Sequence, residues 1–118
     1  WRGGLGCIQE FEILEGEVVA TYRGERHFQP AAGMDGGLAG GAAWAKIQRS
    51  DGSEESIPSK IVTHLRAGDR LVLATGGGGG RGNPRERPIS LVEEDVCNGK
   101  VDAENARSVY GCEVTSPV

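Results

Sequence analysis

Aromatic residues are scarce in this sequence, and positive charge is in deficit. The 118 residues include only two Trp, two Tyr and two Phe, so a core has to be built mainly from Val, Ile, Leu and Ala. The formal net charge of −4 does not favour nucleic-acid binding, which needs a basic face. No apolar stretch approaches the roughly 20 residues that span a bilayer. The composition therefore predicts a soluble chain that has neither nucleic acid nor a membrane as a partner.

The three cysteines, Cys7, Cys97 and Cys112, are widely separated and form no CxxC pair. Isolated thiols in odd number do not fit a secreted disulfide framework or a zinc site, and they favour reduced thiols in the cytoplasm. A nucleophilic Cys97 or Cys112 is an alternative, but no signature surrounds either residue, so a buried or neutral thiol is favoured. We therefore predict a cytoplasmic protein with no metal site in this chain.

Four other residues of catalytic type stand alone. His27 and His64 lie near no combination of a carboxylate with Ser or Cys, which predicts structural histidines. Asp35 in GMDGG and Asp69 in AGDR stand beside glycines, which is typical of turns. The sequence predicts no catalytic residue.

Glycine is abundant, at 20 of 118 residues, and residues 75–84 read TGGGGGRGNP. A Walker loop would need Lys and Ser or Thr where Asn83 and Pro84 stand, and a dinucleotide-binding loop would open a helix that the prolines forbid. A flexible linker is an alternative for this segment. The favoured interpretation assigns residues 76–88 to a fixed loop, whose glycines are required by positive φ or by close backbone approach.

The same loop is the candidate ligand site of the sequence. Gly77, Gly78 and Gly79 would offer backbone N–H groups to an anion beside the Arg81 guanidinium, as in an anion-binding nest. The favoured alternative is that the arginines near the loop form ion pairs with nearby glutamates. These arginines are Arg81, Arg85 and Arg87, and the glutamates are Glu86, Glu93 and Glu94.

The region 1–75 carries the period-two alternation and the turns of antiparallel β structure. In its first strand, Phe11 and Ile13 would face the core, while Glu10 and Glu12 would face solvent. The predicted segments are strands 7–14 and 17–23 joined in a tight hairpin at Gly16, a loop at 29–41, strands 42–49 and 54–57 joined by Ser50-Asp51-Gly52, and strands 60–65 and 70–74 flanking Ala67-Gly68-Asp69.

Residues 89–111 predict two short helices. Ser90 and Glu93 have the spacing of a capping box, Asn98-Gly99 supply a stop, and Asp102 would cap the second helix. The fold class is therefore mainly β (α+β). The predicted order is a β-rich region at 1–75, the glycine-rich loop at 76–88, the helical pair at 89–111 and a tail at 112–118, all in one unit.

The sequence from Gly68 to Gly111 contains several short motifs at defined spacings. It contains GD, an apolar strand, GGGGG with RGNP, ER, VxxDVxxG and ExARxxYG. This text resembles the C-terminal end of the hydantoinase B/oxoprolinase family. Two residues depart from the family pattern, since Arg81 stands where an aromatic residue is usual and Asn83 where Asp is usual.

The resemblance implies the C-terminal, non-catalytic segment of a subunit of an ATP-dependent enzyme that opens cyclic amides such as hydantoins or 5-oxoproline. It implies ATP and a divalent metal for the parent complex, with no cofactor held by this chain. The implied partners are the remainder of its own subunit and an ATP-handling A-type subunit. Two alternatives are a segment of a related ATP-dependent ketone carboxylase and a free-standing β-rich assembly module without catalysis.

Overall fold

The computed structural model describes residues 1–114, so the end of the predicted tail at 112–118 lies outside the described residues. Most of the regular structure is antiparallel strand, followed by two short helices, which confirms the predicted fold class. The elements are β1 (Ile8–Glu12), β2 (Glu17–Arg23), β3 (Trp44–Gln48), β4 (Glu54–Ser56), β5 (Lys60–Arg66), β6 (Arg70–Ala74), a 3-10 turn (Pro84–Glu86), α1 (Ile89–Cys97) and α2 (Ala103–Ser108).

A four-stranded antiparallel sheet has the order β1-β6-β3-β4. The hairpin of β3 and β4 was predicted, and it turns at Gly52, whose φ of 91° is left-handed. The Asp51 carboxylate fixes the turn by accepting a 2.8 Å hydrogen bond from the Ser53 N–H. In β3, Ala45 and Ile47 alternate with more exposed residues, so the strand buries one face as its period of two requires.

The second sheet pairs β2 with β5, and it corrects the predicted hairpin between the first two strands. β1 pairs with β6 and β2 pairs with β5, so the two N-terminal strands do not pair with each other. The chain turns a corner at 13–16 alongside a second corner at 66–69: the Gly68 N–H donates to the Ile13 carbonyl at 2.8 Å, and the Ala67 N–H donates to the Gly16 carbonyl at 3.1 Å. The two corners thus bend one long antiparallel ribbon from one sheet into the other.

The apolar core is split into two small clusters. The first lies between the sheets and is formed by Ala45, Ile47, Ile57 and Leu65. The second lies around the helices and is formed by Val92, Val96, Val101, Ala106 and Cys112. Of the two residues predicted to face the core from the first strand, Ile13 is partly buried and packs against the first cluster, whereas Phe11 is 50% exposed. The predicted half-buried pattern is therefore confirmed at Ile13 and wrong for β1 itself, whose residues are all exposed. The reason is its position at the edge of the larger sheet, where no second layer from residues 1–114 covers it.

The helices begin and end partly as predicted. Pro88 precedes α1 and no side chain caps that end, so the capping box of Ser90 and Glu93 is wrong, because Ser90 already lies within the first turn. Asp102 does cap α2, since its carboxylate accepts a 2.7 Å bond from the Asn105 N–H. Among the described residues, neither helix has the length and apolar character that a membrane crossing needs.

The molecule is a thin plate of 52 × 34 × 17 Å. Its accessible surface is 7918 Å². A compact monomer of 12.4 kDa would expose roughly 6,100 Å², so the excess is large. A chain of this shape leaves many apolar side chains uncovered, and the exposed ones include Trp1, Leu5, Phe28 and Leu38.

Candidate functional site

Three glycine-rich segments pack side by side and form what we call the glycine layer. They are residues 1–6, 31–41 and 75–82. The last segment lies between the other two: the Gly78 N–H donates to the Gly4 carbonyl, and the Gly80 N–H donates to the Leu38 carbonyl, both at 2.9 Å. The main chain therefore supplies both the packing surface and the hydrogen bonds of this layer.

Close approach explains why the layer is built from glycine. A Cβ placed on Gly79 would lie 2.1 Å from the Ala32 carbonyl oxygen, and one on Gly37 would lie 2.2 Å from the Gly80 carbonyl oxygen. Both distances are far inside van der Waals contact. The expectation that several glycines of 76–82 have positive φ is wrong, because only Gly82 does, at 75°. Glycine is thus required in this run mainly because neighbouring backbone segments leave no room for a side chain, and not because of the dihedral angles of the run itself.

One side of the glycine layer borders a groove of about 490 Å³. Trp1 and Leu38 supply apolar surface to it, and Tyr110, just beyond α2, also lines it. Lys100 and Asn105 add polar groups. The groove thus combines main-chain, apolar and polar surface, which suits contact with another polypeptide segment better than a chemical step.

The structure separates the four residues of the predicted anion site. Gly77 and Gly78 line the groove, whereas Gly79 and Arg81 are not part of its lining. The Arg81 guanidinium points to Asp35, with 3.3 Å between Nε and Oδ2 in an exposed ion pair. Binding of an anion by these four residues therefore stays a prediction.

The predicted arginine–glutamate pairs are wrong in their partners. Arg81 pairs with Asp35, and Arg85 donates to the Ser108 carbonyl oxygen at 3.3 Å. Arg87 pairs with Asp95 at 2.6 Å. The reason is the orientation of α1, which buries Asp95 and leaves the two glutamates before it exposed.

Asp95 is the centre of a buried ionic cluster that joins α1 to the glycine layer. Its carboxylate accepts hydrogen bonds from Arg2 Nε at 3.0 Å and from Arg87 Nη1 at 2.6 Å, and the side chains of Asp95 and Arg87 are each only 8% exposed. Arg87 also lies over the Tyr110 ring, with 5.5 Å to its centroid. Burial by itself raises the pKa of Asp95, but the hydrogen bonds from Arg87 and Arg2 outweigh it and hold the pKa below its ordinary value.

Sequence reasoning missed this cluster, although one signal was present. Asp95 stands between the apolar positions Val92 and Val96 on the buried stripe of α1, where an unpaired carboxylate would be costly. An acidic residue at such a position indicates a cationic partner, and Arg87 lies only eight residues away, but the second partner cannot be named from the neighbouring sequence. Arg2 is 93 residues away along the chain.

Asp69 ties the corner at 66–69 to the start of the β3–β4 turn, in keeping with its prediction as a turn residue. Its buried carboxylate accepts hydrogen bonds from the N–H groups of Ser50 and Arg66, at 3.0 and 2.9 Å, and from Arg49 Nη1 at 3.0 Å. The backbone bond from Arg66 is the largest cause that lowers the pKa of Asp69. Arg49 extends the contact to Glu55, at 2.9 Å.

Stability should therefore fall on acidification. Because folding lowers the pKa of Asp69 and Asp95 below the ordinary 3.8, their stabilisation is present above that value and is lost as the pH falls through the folded pKa. Urea unfolding between neutral and strongly acidic pH measures this loss. Asp69→Asn should lower the free energy of unfolding at neutral pH and make the decline shallower. Glu94→Gln, on the exposed face of α1, should leave the curve unchanged, and an equal decline in both variants would contradict the assignment.

Residues of catalytic type remain scattered in the described part of the chain. No group of three or more His, Cys, Asp or Glu within residues 1–114 is arranged to hold a metal ion. His27 shares a 2.8 Å hydrogen bond with the Tyr22 hydroxyl, which gives it a structural partner. The three cysteines are free thiols, of which Cys112 is buried and Cys7 and Cys97 are exposed.

Comparison with known proteins identifies relatives for nearly the whole chain. The chain is 34% identical over 115 residues to the beta subunit of caprolactamase from Pseudomonas jessenii, a match that covers 94% of this chain and 20% of that protein. It is 32% identical over 117 residues to the B-type subunit of a putative D-/L-hydantoinase from Pseudomonas sp. (strain NS671), a match that covers 98% of this chain and 20% of that protein.

A solved structure shares the fold. The crystal structure of ATP-dependent caprolactamase from Pseudomonas jessenii superposes with a TM-score of 0.74 at 28% identity, covering 93% of this chain and 20% of that one. The chain thus spans about a fifth of the length of these relatives. The model of the family described as hydantoinase B/oxoprolinase matches residues 1–84. On this match and on the two sequence relatives, the chain belongs to the hydantoinase B/oxoprolinase family.

Proposed function

We propose that this chain is the C-terminal segment of a B-type subunit of an ATP-dependent enzyme that hydrolyses a cyclic amide. In this role it supplies structure and a subunit interface, and the reacting groups lie elsewhere in the parent enzyme. The names of the two relatives support this class of substrate, because caprolactam and hydantoin both contain an amide within a ring. The same names favour hydrolysis over the ketone carboxylase alternative.

The observation that carries the structural role is the exposed surface. The chain exposes 7918 Å², against roughly 6,100 Å² for a compact monomer of its mass. The excess of roughly 1,800 Å² is about twice what one partner buries in a standard protein–protein interface. Apolar side chains at the groove, among them Trp1 and Leu38, contribute to this surface. A chain with this surface is expected to function when covered by further protein.

The proposal extends to cofactors, partners and location. ATP would be bound by an A-type partner subunit and a divalent metal by the body of the parent subunit, while this chain binds neither. Cytoplasmic location fits free thiols at Cys7, Cys97 and Cys112, since ATP is available and thiols stay reduced in that compartment.

The activity is tested with the full-length subunit that contains this chain, mixed with its ATP-handling partner. We expect ATP-dependent ring opening of a lactam or hydantoin, measured by the appearance of the linear amino acid or carbamoyl product. The isolated 118-residue chain should show neither ATP hydrolysis nor ring opening, because it carries no arrangement of groups for either reaction in its described part.

Three results would contradict the proposal. Ring opening by the purified chain alone would place reacting groups within it. ATP-dependent carboxylation of a ketone by the assembled enzyme, without amide hydrolysis, would replace the hydrolase by the carboxylase alternative. A chain that unfolds cooperatively as a monomer and exposes no apolar patch to a hydrophobic dye would favour the free-standing module.

A further inference from the structure

The outer face of β2 and β5 has no covering layer in the described chain. Residues directly opposite each other in the two strands share a face, so Val19 with His64 and Thr21 with Val62 point away from the core. Val19 and Val62 are 62% and 66% exposed. The other side chains of this face are polar or charged, so Val19 and Val62 form a small apolar patch among them, and apolar groups surrounded by polar ones are typical of protein contact surfaces.

Cations accumulate at one end of this outer face. Arg23 lies directly opposite Lys60, and like charges in that position are destabilising. Arg26 follows in the next loop, and no carboxylate of the described residues, Glu25 included, lies within 4.0 Å of any of the three cations. The chain has a net charge of −4, so this local excess of positive charge runs against its overall balance.

The loop beyond Arg23 presents an aromatic side chain next to these cations. The Gly24 N–H holds this loop to the residue just before β5, because it donates to the Ser59 carbonyl oxygen at 2.7 Å. Arg26 has a left-handed φ of 64°, which is unusual outside glycine, and its carbonyl accepts a 2.9 Å bond from the Ala43 N–H. Phe28 follows and is 84% exposed. A held loop that exposes a large aromatic residue is typical of a contact surface.

The loop and the sheet face form one continuous surface. Lys60 lines both the hollow around residues 24–29 and the shallow depression between β2 and β5. We propose that this surface, which consists of Arg23, Arg26, Phe28, Lys60 and Val62, docks an acidic patch on a second subunit of the parent enzyme. The inference rests on the proposed function for the existence of that subunit, and the relatives are themselves named as subunits.

Charge complementarity identifies the occupant. Carboxylates of the partner would relieve the repulsion between Arg23 and Lys60, and apolar side chains around those carboxylates would cover Phe28 and Val62. A small anion would satisfy the charges but would leave the aromatic and β-branched surface in water. A protein surface with carboxylates among apolar groups satisfies both requirements.

The test measures the affinity of the full-length subunit for the separately produced ATP-handling subunit, using calorimetry and light scattering after size exclusion. Lys60→Glu should weaken the affinity about tenfold or more, and the wild-type affinity should fall with rising salt. Phe28→Ala should weaken it to a similar extent, because exposed aromatic anchors dominate interfaces. Arg107→Glu is the matched control, since it reverses a positive charge at an exposed position of α2, and it should leave the affinity unchanged.

Three outcomes would overturn the proposal. One is an equal affinity of the Lys60→Glu and Arg107→Glu variants for the second subunit. Another is a wild-type subunit that forms no complex with the ATP-handling subunit. The third is a Lys60→Glu variant that melts at a lower temperature as an isolated subunit but binds the second subunit with unchanged affinity. This result would show that another part of the same subunit covers this face. Ring opening is assayed separately, so a complex that forms but does not hydrolyse amides contradicts the proposed function and leaves the docking surface supported.

Discussion

Replacing Gly79 by Ala should cost about 3 kcal/mol in the free energy of unfolding, at the upper end of overpacking effects. The added Cβ would lie 2.1 Å from the Ala32 carbonyl oxygen and 3.0 Å from the Gly33 nitrogen, so two backbone segments would have to move apart. Backbone atoms cannot relieve the contact by changing a rotamer, as a side chain can. Urea unfolding followed by circular dichroism measures the cost.

Other glycines of the same layer provide a graded comparison. A Cβ on Gly4 meets no atom within 4 Å, so Gly4→Ala is the control and should change stability by less than about 1 kcal/mol. Gly78→Ala should fall between the two, because its Cβ would lie 3.1 Å from the Gly4 nitrogen. Equal stability of the Gly79 and Gly4 variants would return the run to a flexible linker. In the full-length enzyme, lost activity at unchanged stability would instead indicate a loop that contacts a ligand.

Removal of the Asp95 carboxylate should have an effect of comparable size. Asp95→Ala leaves Arg87 buried without a counter-charge and frees Arg2 from α1, and breaking a buried pair on one side costs about 3–5 kcal/mol. Part of the helical cluster should loosen with it, since Arg87 also holds its position over Tyr110. Chemical unfolding measures the loss, and amide exchange in α1 shows whether it is local.

Two further variants separate charge pairing from mere loss of volume. Glu104→Ala removes an exposed carboxylate that lies 3.9 Å from Arg107, and it should cost less than about 1 kcal/mol. The double change Asp95→Leu with Arg87→Met replaces a buried ion pair by apolar side chains, and it should recover part of the stability lost in Asp95→Ala. A double variant less stable than Asp95→Ala would show that the pair does more than neutralise buried charge.

The sequence predicted those parts of the fold whose information is local. The hairpin of β3 and β4 followed from alternation on both sides of a turn, and the cap at Asp102 followed from the residue type before a helical segment. The pairing of β1 and β2 could not be predicted in this way. A turn at Gly16 fits a hairpin as well as a corner, and only the distant residues 66–69 decide between them.

The candidate site was predictable to a similar degree. A fixed, closely packed glycine run was the favoured interpretation, and of its two proposed reasons close backbone approach applies while positive φ applies only at Gly82. The sequence of one segment does not show which other backbone segments will contact it. Asp95 was overlooked for the same reason. Its two arginines, Arg2 and Arg87, lie far apart along the chain and become neighbours only when the layer and the helix pack together.

The glycine layer has a consequence for how this segment tolerates mutation. Every missense change of a glycine codon adds at least one carbon atom, and at Gly37 or Gly79 that atom has no space. Selection should therefore hold such positions fixed even where they touch no substrate. In an alignment they would look as invariant as a phosphate-binding loop, so invariance of the run by itself is no sign of ligand binding. Invariance at Gly4 or Gly41, where a Cβ meets nothing within 4 Å, would be the more informative observation, because packing among the described residues does not restrict those positions.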